Sequence, residues 1–387
     1  MIKCGLSAFL FGAIISALAP SFILRRLIQG IGTKILVPMM FNVAMAVFPP
    51  QELGSTTGIC SLVIMFATAI GPTLTGLILA KLSWHWIFWL FVPILLIALI
   101  FELKFLINVD QLSKPKVDVL SLIFSALGFG LIVIGFSLAA DKGWTSPFVL
   151  LCLLIGIVVL TIYITKQLRI PNPILNFRIF KKEAFFKGTL LVMIDFAMIL
   201  SAMFIVPQFI QKGMRIPVAL AGLIMLPGGL INAFVSAIAG RLYDNYGVKK
   251  IAIIGFIIAI LGSFMLTRVS PKCSVLYITI SLCVLMIGCP LAMSPSQTHA
   301  LNALEVKENA DGSTIINTFQ QIVGAIATAV ATSLLGLGTA AVHGHNAAVA
   351  FTNGTHYGFY FTIVLAIIGL LVSLSLKKET KSKDVQL

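Results

Sequence analysis

The sequence predicts an all-α integral membrane protein with about twelve transmembrane helices. Of its 387 residues, 59% are hydrophobic and only 10% are charged, and the mean hydropathy is +1.06. Soluble globular domains carry about 25% charged residues. Apolar runs of about 20 residues, the length that crosses the hydrocarbon core of a bilayer, recur along almost the whole chain. Because backbone polar groups in lipid must be hydrogen-bonded within their own segment, these runs are predicted to be helices.

The apolar runs are delimited in chain order by short polar connections. The first four cover 4–20, 22–48, 53–80 and 84–107, and the next two cover 118–139 and 146–166. The last six cover 184–211, 217–240, 248–268, 273–298, 311–337 and 357–376. Each run is long enough to span a bilayer, so all of them are predicted to be membrane helices.

The basic residues indicate how these helices are oriented. With a cytoplasmic N-terminus, 18 of the 27 Lys and Arg residues lie in cytoplasmic connections or the C-terminal tail, and six lie in outer connections. This bias follows the positive-inside rule and predicts that both termini are cytoplasmic. The net charge of +14 is therefore explained by topology, and we expect no nucleic-acid partner.

The sequence offers no pattern typical of a metal site, a nucleotide site or a hydrolase. The six cysteines are scattered and include no CxxC pair, and no Walker loop or nucleophile elbow occurs. The three histidines at 343, 345 and 356 lie in a segment, 338–356, that is predicted to be a flexible outer loop. We therefore expect no metal, no ATP-driven pumping and no enzymatic activity.

The segment GRLYDNYGVKK at 240–250 is the most informative in the chain. It places a short basic turn with one acid between two apolar helices, which is how a polytopic carrier marks a cytoplasmic loop. Gly240 permits a close helix approach, and Asp244 can interact favourably with the N-terminal end of a neighbouring helix. Gly247 follows, and Lys249 and Lys250 can reach acidic groups or lipid headgroups. This segment indicates a transporter rather than an enzyme with a membrane anchor.

The chain also contains a weak internal repeat. Two glycines stand seven residues apart in the apolar segments 3–16 and 249–263, and Gly-Ser-Thr opens a span at both 54–56 and 312–314. Internal repeats are common in secondary transporters. The second copy is preceded by two spans and a basic turn, whereas the first is preceded by almost nothing. The repeat therefore predicts that a first pair of helices is missing before residue 1; a complete twelve-span layout is the alternative.

These features resemble the major facilitator superfamily, and specifically its drug:proton antiporters with fourteen spans, over essentially all 387 residues. The resemblance implies a partial N-terminal bundle of four spans at 1–107. It implies two inserted linker helices and a cytoplasmic loop at 108–180. A C-terminal six-helix bundle with a short basic tail would follow at 181–387. In that family the segment at 240–250 is a latch between transport states.

Further motifs are similar to those of the family. Arg26 lies in a segment like the family's fourth-helix motif, where the resemblance implies a role in the protonation of a nearby acid; it could instead extend to the outer interface. Gln29 and Lys34 lie along the same helix as possible cavity residues, and a lysine at position 34 departs from the family pattern.

The third span carries a helix-packing motif that resembles the family's antiporter motif. Its small residues and proline are Gly58, Gly71, Pro72 and Gly76. Small residues permit close packing and proline kinks a helix, so a purely structural kink is the alternative reading. In the second half, Asn317, Gln320 and Gln321 match family positions and could reach a central cavity or hydrogen-bond another helix.

Asp195 is the carboxylate that stands near the middle of an apolar helix. An ionised Asp at a helix centre costs about 2.5–3.5 kcal/mol on insertion scales, so Asp195 is our candidate for a proton carrier. A structural partnership with Lys34, or a hydrogen bond to another helix, is the alternative.

The resemblance implies a proton-coupled efflux carrier that works by alternating access. Its substrates are expected to be small hydrophobic or cationic molecules bound between two bundles. We expect a monomer in the plasma membrane that needs no cofactor beyond the proton gradient. The first alternative is a truncated, inactive transporter remnant. The second, a polytopic membrane enzyme, is disfavoured because no catalytic cluster is present.

Overall fold

The computed structural model describes residues 2–18, 73–105, 118–170, 173–305, 308–342 and 346–377, with a few single residues between 30 and 71. Within these ranges the secondary structure is helical, with no strand, which confirms the predicted all-α membrane fold. Nine helices in the described ranges are long and apolar enough to cross a membrane.

The described residues form two compact units. The first comprises the residues before 116 together with 217–226, and the second comprises 116–216 and the residues from 227 onward. The segment 118–166, predicted to form the two inserted helices, therefore belongs to the second unit.

In the first unit, helix α1 (Ile2–Leu18) packs against α2 (His85–Phe105). Their contact buries apolar side chains from both helices: Leu6, Leu10, Ala13, Val92 and Leu95. Residues 73–81 are also helical, and the hydroxyl of Thr73 donates a hydrogen bond of 2.8 Å to the carbonyl of Gly222. This bond attaches 73–81 to the segment 217–226 of the same unit.

The remaining helices follow in chain order with short connections. They are α3 (Val119–Lys142), α4 (Pro147–Arg169), a 3₁₀ turn (Phe177–Lys181), α5 (Glu183–Gln208) with a π turn (Phe209–Gly213), α6 (Val218–Tyr246), α7 (Val248–Leu266), α8 (Val275–Asn302), α9 (Asn309–Ala340) and α10 (Ala347–Leu374). Most of these bounds lie within a few residues of the predicted spans.

Two helices are longer than predicted. The first is α6, which continues through the polar segment expected to be a turn and ends at Tyr246. The second is α10, which begins at Ala347, ten residues before the predicted span. The small polar residues at its start are compatible with a helix because Thr352 and Thr355 donate to carbonyls one turn earlier, while Asn346 caps the first turn. The outer loop predicted at 338–356 is therefore much shorter.

Helices α3 and α4 pack against each other, and α3 also packs along α9. Phe129 on α3 meets Phe319 on α9 edge to face, with ring centroids 6.3 Å apart. Around this pair lies an aromatic cluster that joins α4 and the 3₁₀ turn to α5 and α9: Tyr163, Phe177, Phe180 and Phe185. This cluster fixes the hairpin of α3 and α4 to the rest of the second unit.

The helix contacts of the second unit place α5 in its interior. α5 packs against α8, α9 and α10, while α7 packs against α8 and α10. Residues on several faces of α5 are buried, among them Leu191, Val192 and Ala197. A side chain on the inner face of α5 is therefore surrounded by protein rather than by lipid.

Candidate functional site

Asp195 lies in the middle of α5 and its side chain is completely buried, with 0% exposure. Neither carboxyl oxygen has a hydrogen-bond partner. No ion pair to this residue occurs in the described part of the chain. Lys34, which the sequence suggested as a partner, lies outside the described residues.

The burial of Asp195 has an energetic consequence. Removing an unpaired carboxylate from water costs several kcal/mol even after the protein relaxes, whereas the neutral carboxylic acid avoids most of this cost. The described conformation therefore suits the protonated form of Asp195. Its proton-carrying role remains a prediction.

Asp195 faces α8. Cys289 on that helix is close enough to the carboxyl group for an electrostatic interaction. Two helical turns earlier on α5, Gly188 packs against Ser296 of α8: a methyl group at Gly188 would lie 2.7 Å from the Ser296 carbonyl oxygen. Asp195 therefore lies on the face of α5 that contacts α8.

The signature segment 240–250 is mostly helical. Residues through Tyr246 belong to α6, and Gly247 ends the helix with a φ of 74°, a value that side-chain-bearing residues rarely adopt. The Gly247 amide donates to the carbonyl of Tyr243 at 2.8 Å. The predicted basic turn is therefore a single-residue break, and α7 begins immediately after it.

The residues of this segment differ in their surroundings. A methyl group at Gly240 would meet only the Ser294 hydroxyl, at 4.0 Å among the described residues, which is ordinary contact rather than a close helix approach. Asp244 lies one turn after Gly240 on α6, and its side chain is not among the described atoms. Lys250 is exposed.

Lys249 makes the most specific contacts in the segment. Its Nζ donates to the backbone carbonyls of Leu374 and Leu376, both at 2.7 Å, where α10 ends. Lys187 of α5 donates to the carbonyl of Ser375 at 2.9 Å. Helix ends leave carbonyls without intrahelical partners and carry partial negative charge, so both cations are well placed. We call this group of contacts the lysine clamp.

Ion pairs extend the lysine clamp. Glu183, the first residue of α5, contacts Lys187 at 2.7 Å and Lys377 at 3.1 Å. Lys182 contacts Glu308 at 2.6 Å just before α9 begins. The predicted cytoplasmic ends of α5, α7, α9 and α10 are thus connected by charged side chains.

The motifs predicted in the first half are only partly described. Arg26, Gln29, Lys34, Gly58 and Pro72 lie outside the described residues. In the helix-packing motif, a methyl group at Gly76 would lie 2.8 Å from the Val218 carbonyl oxygen, so Gly76 permits a close approach between segments of the first unit. A methyl group at Gly71 would have no described atom within 4 Å.

The polar residues predicted in the second half do not share one environment. Gln320 is buried, with 6% exposure, whereas Asn317 and Gln321 are exposed in the described part of the chain. The Asn317 amide donates to the Ser313 carbonyl of its own helix at 3.0 Å. Their place in a substrate cavity stays a prediction.

The sequence analysis missed Glu102 as a site residue. Its side chain is 8% exposed and neither carboxyl oxygen has a hydrogen-bond partner. Its spacing offered a signal: Val92, Leu95, Leu99 and Glu102 recur at intervals of three and four residues, the period of one helix face. The first three pack with α1, so Glu102 prolongs that buried face toward the end of α2.

Comparison with known proteins gives a consistent result. A family model described as Major Facilitator Superfamily matches residues 1–328. The lincomycin resistance protein LmrB of Listeria monocytogenes is 42% identical over 377 residues, covering 95% of this chain and 80% of that protein. LmrB of Bacillus subtilis is 41% identical over 385 residues, with the same coverage. A multidrug resistance protein B homologue of Mycobacterium tuberculosis is 24% identical over 335 residues, covering 85% and 62%.

Solved structures share the fold at low sequence identity. A POT family transporter in complex with a thioalcohol-conjugated peptide aligns with a TM-score of 0.67 and 16% identity, over 97% of this chain and 81% of that one. A bacterial homologue of the human lysosomal transporter Spinster aligns with a TM-score of 0.58 and 16% identity, over 96% and 81%. At these identities the similarity shows the fold alone.

Proposed function

Since this chain belongs to the Major Facilitator Superfamily, we propose that it exports drugs or other amphiphilic small molecules in exchange for protons. The observation that carries the proposal is Asp195, a buried carboxyl without a partner in the middle of a membrane helix. Such a group can bind and release one proton when its access to water changes. The sequence contains no nucleotide-binding loop, so an ion gradient is the energy source that fits this chain.

The relatives suggest the class of substrate. Two of them, 42% and 41% identical, are named for lincomycin resistance, and a more distant one is named for multidrug resistance. We propose hydrophobic or cationic compounds as substrates, with lincomycin as the first to test. The chain's 28 phenylalanines and 13 methionines suit a lining that adapts to compounds of different shape.

The mechanism that we propose is alternating access by a monomer in the plasma membrane with both termini in the cytoplasm. Alternating access requires two bodies that each keep their internal packing while access to the substrate changes sides. The described residues divide into two compact units, and the boundary between them falls inside α6, between residues 226 and 227. Protonation of Asp195 would then bias which conformation is populated.

An efflux assay tests the proposal. Cells that express the chain should lose ethidium and lincomycin faster than cells without it, and a protonophore should abolish this difference while ATP is maintained. Asp195→Asn should abolish proton-dependent efflux at normal expression, because the amide cannot exchange a proton. Asp118→Asn, which alters the N-cap acid at the start of α3, is the control, and efflux of both variants is compared per amount of folded protein because this change is itself expected to lower stability. Efflux that persists with a protonophore, or with Asp195→Asn, would contradict proton coupling through this residue.

A further inference from the structure

We propose that Asp195 exchanges its proton with the cytoplasm along the contact between α5 and α8, past the hydroxyl of Ser296, and that the packing of Gly188 closes this route in the described conformation. The proposal rests on the proposed proton coupling and adds the path that the proton takes. It places that path inside the second unit.

The first observation is the register between α5 and α8. Gly188 and Asp195 are seven residues apart on α5, and Ser296 and Cys289 are seven residues apart on α8. Residues separated by seven lie on nearly the same face of a helix. Gly188 packs on Ser296, and Cys289 interacts with Asp195, so the two faces pair in antiparallel order. Ser296 is thus the buried hydroxyl two turns from Asp195 toward the start of α5.

The second observation is that Ser296 has an unused hydroxyl. Its side chain is completely buried, and its Oγ has no hydrogen-bond partner. A serine hydroxyl can both accept and donate a hydrogen bond, which is what a proton relay requires. Two helical turns correspond to about 10 Å. Because a hydrogen bond between oxygens spans about 2.8 Å, the relay needs water molecules between Ser296 and Asp195.

The third observation is the tight contact at Gly188. A methyl group there would lie 2.7 Å from the Ser296 carbonyl oxygen and 2.8 Å from the Ala300 Cβ, so α5 and α8 are in close contact at this position. One residue before Gly188, the Lys187 side chain is 22% exposed in its pair with Glu183, which is 54% exposed. The close contact at Gly188 thus lies between this partly exposed end of α5 and the buried Asp195. A small separation of α5 from α8 would admit water to this contact.

The charged surroundings of Asp195 agree with a closed route. In the described part of the chain, the elements that contact α5 carry these titratable groups: Tyr277, Cys283, Cys289 and His299 on α8, Asp311 on α9, His356, Tyr357 and Tyr360 on α10, Arg178 and Lys181 in the 3₁₀ turn, and Lys212 in the π turn. None of these groups forms an ion pair with Asp195. Because no ion pair to Asp195 occurs among these described groups, its buried carboxyl favours the neutral form in this conformation and would release its proton when the route opens.

The release is a simple proton transfer. The O–H bond of the Asp195 carboxylic acid breaks, a water molecule accepts the proton, and a carboxylate remains. The proton then passes to the Ser296 hydroxyl, which donates its own proton onward to cytoplasmic water. No other bond changes, and the carboxylate is stabilised by the water that entered.

Cys289 provides a reporter for this route because it lies on the facing helix α8 within the range of an electrostatic interaction with Asp195. In a variant that keeps Cys289 and lacks the other cysteines, a membrane-impermeant maleimide is applied to inside-out and right-side-out vesicles. Gly188→Ala should force α5 and α8 apart and accelerate labelling of Cys289 several-fold in inside-out vesicles. Gly262→Ala is the matched control, because its methyl group would collide with the Leu285 backbone at the α7–α8 contact, away from the route. Equal labelling in both variants, or acceleration only in right-side-out vesicles, would overturn the route.

A second measurement does not depend on Gly188. The carboxyl band of Asp195, assigned in infrared difference spectra by comparison with Asp195→Asn, reports hydrogen–deuterium exchange in proteoliposomes. Ser296→Ala should slow this exchange several-fold. Ser263→Ala is the control, because Ser263 is also a buried serine without a hydrogen-bond partner but belongs to α7. An unchanged exchange rate in Ser296→Ala would exclude the hydroxyl as a relay.

The two proposals can fail separately. Labelling and exchange are measured without substrate, whereas proton coupling is measured by efflux in the presence of a protonophore. If efflux is unaffected by the protonophore while labelling and exchange change as predicted, the proposed proton-coupled function is contradicted and the route is supported. Proton-coupled efflux combined with unchanged labelling and exchange would remove the route and keep the function.

Discussion

Lys249 donates hydrogen bonds from its Nζ to the carbonyls of Leu374 and Leu376, both at 2.7 Å, and so connects the start of α7 to the end of α10. The sequence suggested that this lysine reaches acidic groups or lipid headgroups. In the structure its partners are backbone carbonyls at a helix end, which are acceptors with no intrahelical donor.

We predict that Lys249→Ala destabilises the second unit by about 1–2 kcal/mol, because two charge-assisted hydrogen bonds and a favourable helix-end interaction are lost. The thermal midpoint of the purified protein measures this effect. Lys250→Ala is the matched control, since the neighbouring lysine is exposed. If the thermal midpoint falls equally in both variants, the loss of one positive charge explains the destabilisation, and the specific contacts of the lysine clamp do not.

We predict that the pair of Asp118 and Lys166 contributes stability that depends on pH. The Lys166 hydrogen bond, at 2.7 Å, and the hydroxyl and amide of Ser121 hold the pKa of Asp118 well below its usual value of 3.8. A carboxyl whose pKa is lowered by folding contributes fully above the unfolded value, and its contribution is lost as the pH falls through the folded value.

The stability contributed by this pair should therefore be constant from pH 8 to about 5 and decline only below about 4. Asp118→Asn should lower the thermal midpoint at pH 7 and flatten its dependence on pH below 4. Ser146→Ala changes the corresponding N-cap of α4, which makes no side-chain cap bond, and should leave both unchanged. If the thermal midpoint falls as steeply below pH 4 in Asp118→Asn as in the unmodified protein, other carboxyl groups are responsible for the loss of stability in acid.

Gly71 and Gly76 of the third-span motif should differ in their tolerance of a side chain. Gly76→Ala places a methyl group 2.8 Å from the Val218 carbonyl and should destabilise the first unit by about 1–3 kcal/mol. Gly71→Ala should be tolerated, because no described atom lies within 4 Å of the added group. Expression level and thermal midpoint of the two variants measure this difference. A larger loss in Gly71→Ala than in Gly76→Ala would mean that Gly71 is the packing residue.

The turn of the inserted hairpin should depend on one hydrogen bond. Trp144 donates its indole Nε1–H to the hydroxyl of Ser333 on α9 at 3.1 Å. Ser333→Ala should cost about 1 kcal/mol and red-shift the Trp144 fluorescence, because the indole becomes more mobile and more hydrated. Thr332→Val, whose hydroxyl bonds only to Thr328 of its own helix, is the control. No spectral change in Ser333→Ala would show that the bond does not hold the indole.

The positions of most helices could be predicted from the sequence because lipid imposes a minimum length on each apolar run. The end of α6 could not, since residues 241–246 are polar and were interpreted as a turn. Polar residues are compatible with a helix whose surface is exposed to water, and α6 ends only where the backbone of Gly247 adopts a positive φ. The burial of Asp195 could be predicted because it lies near the middle of an apolar helix. Its electrostatic interaction with Cys289 could not, because it depends on how α5 and α8 pack, which the periodicity of the sequence does not specify.

Glu102 illustrates the same limit. A carboxyl near a helix end is usually assigned to the interface, and only the structure shows that Glu102 is buried, with 8% exposure. The helix-face spacing was visible, but which face of α2 meets a neighbour is decided by packing.

The hairpin of α3 and α4 has a consequence for how oily compounds arrive. Its outer surface presents a broad band of exposed leucine, isoleucine and phenylalanine side chains, while its inner surface is fastened to α9 through Phe129 and Phe319. A hydrophobic compound dissolved in the acyl chains therefore contacts a continuous helical surface on this side of the hairpin. Substrates of the proposed efflux that enter from the membrane are therefore expected to do so on a side of the second unit that the hairpin does not cover.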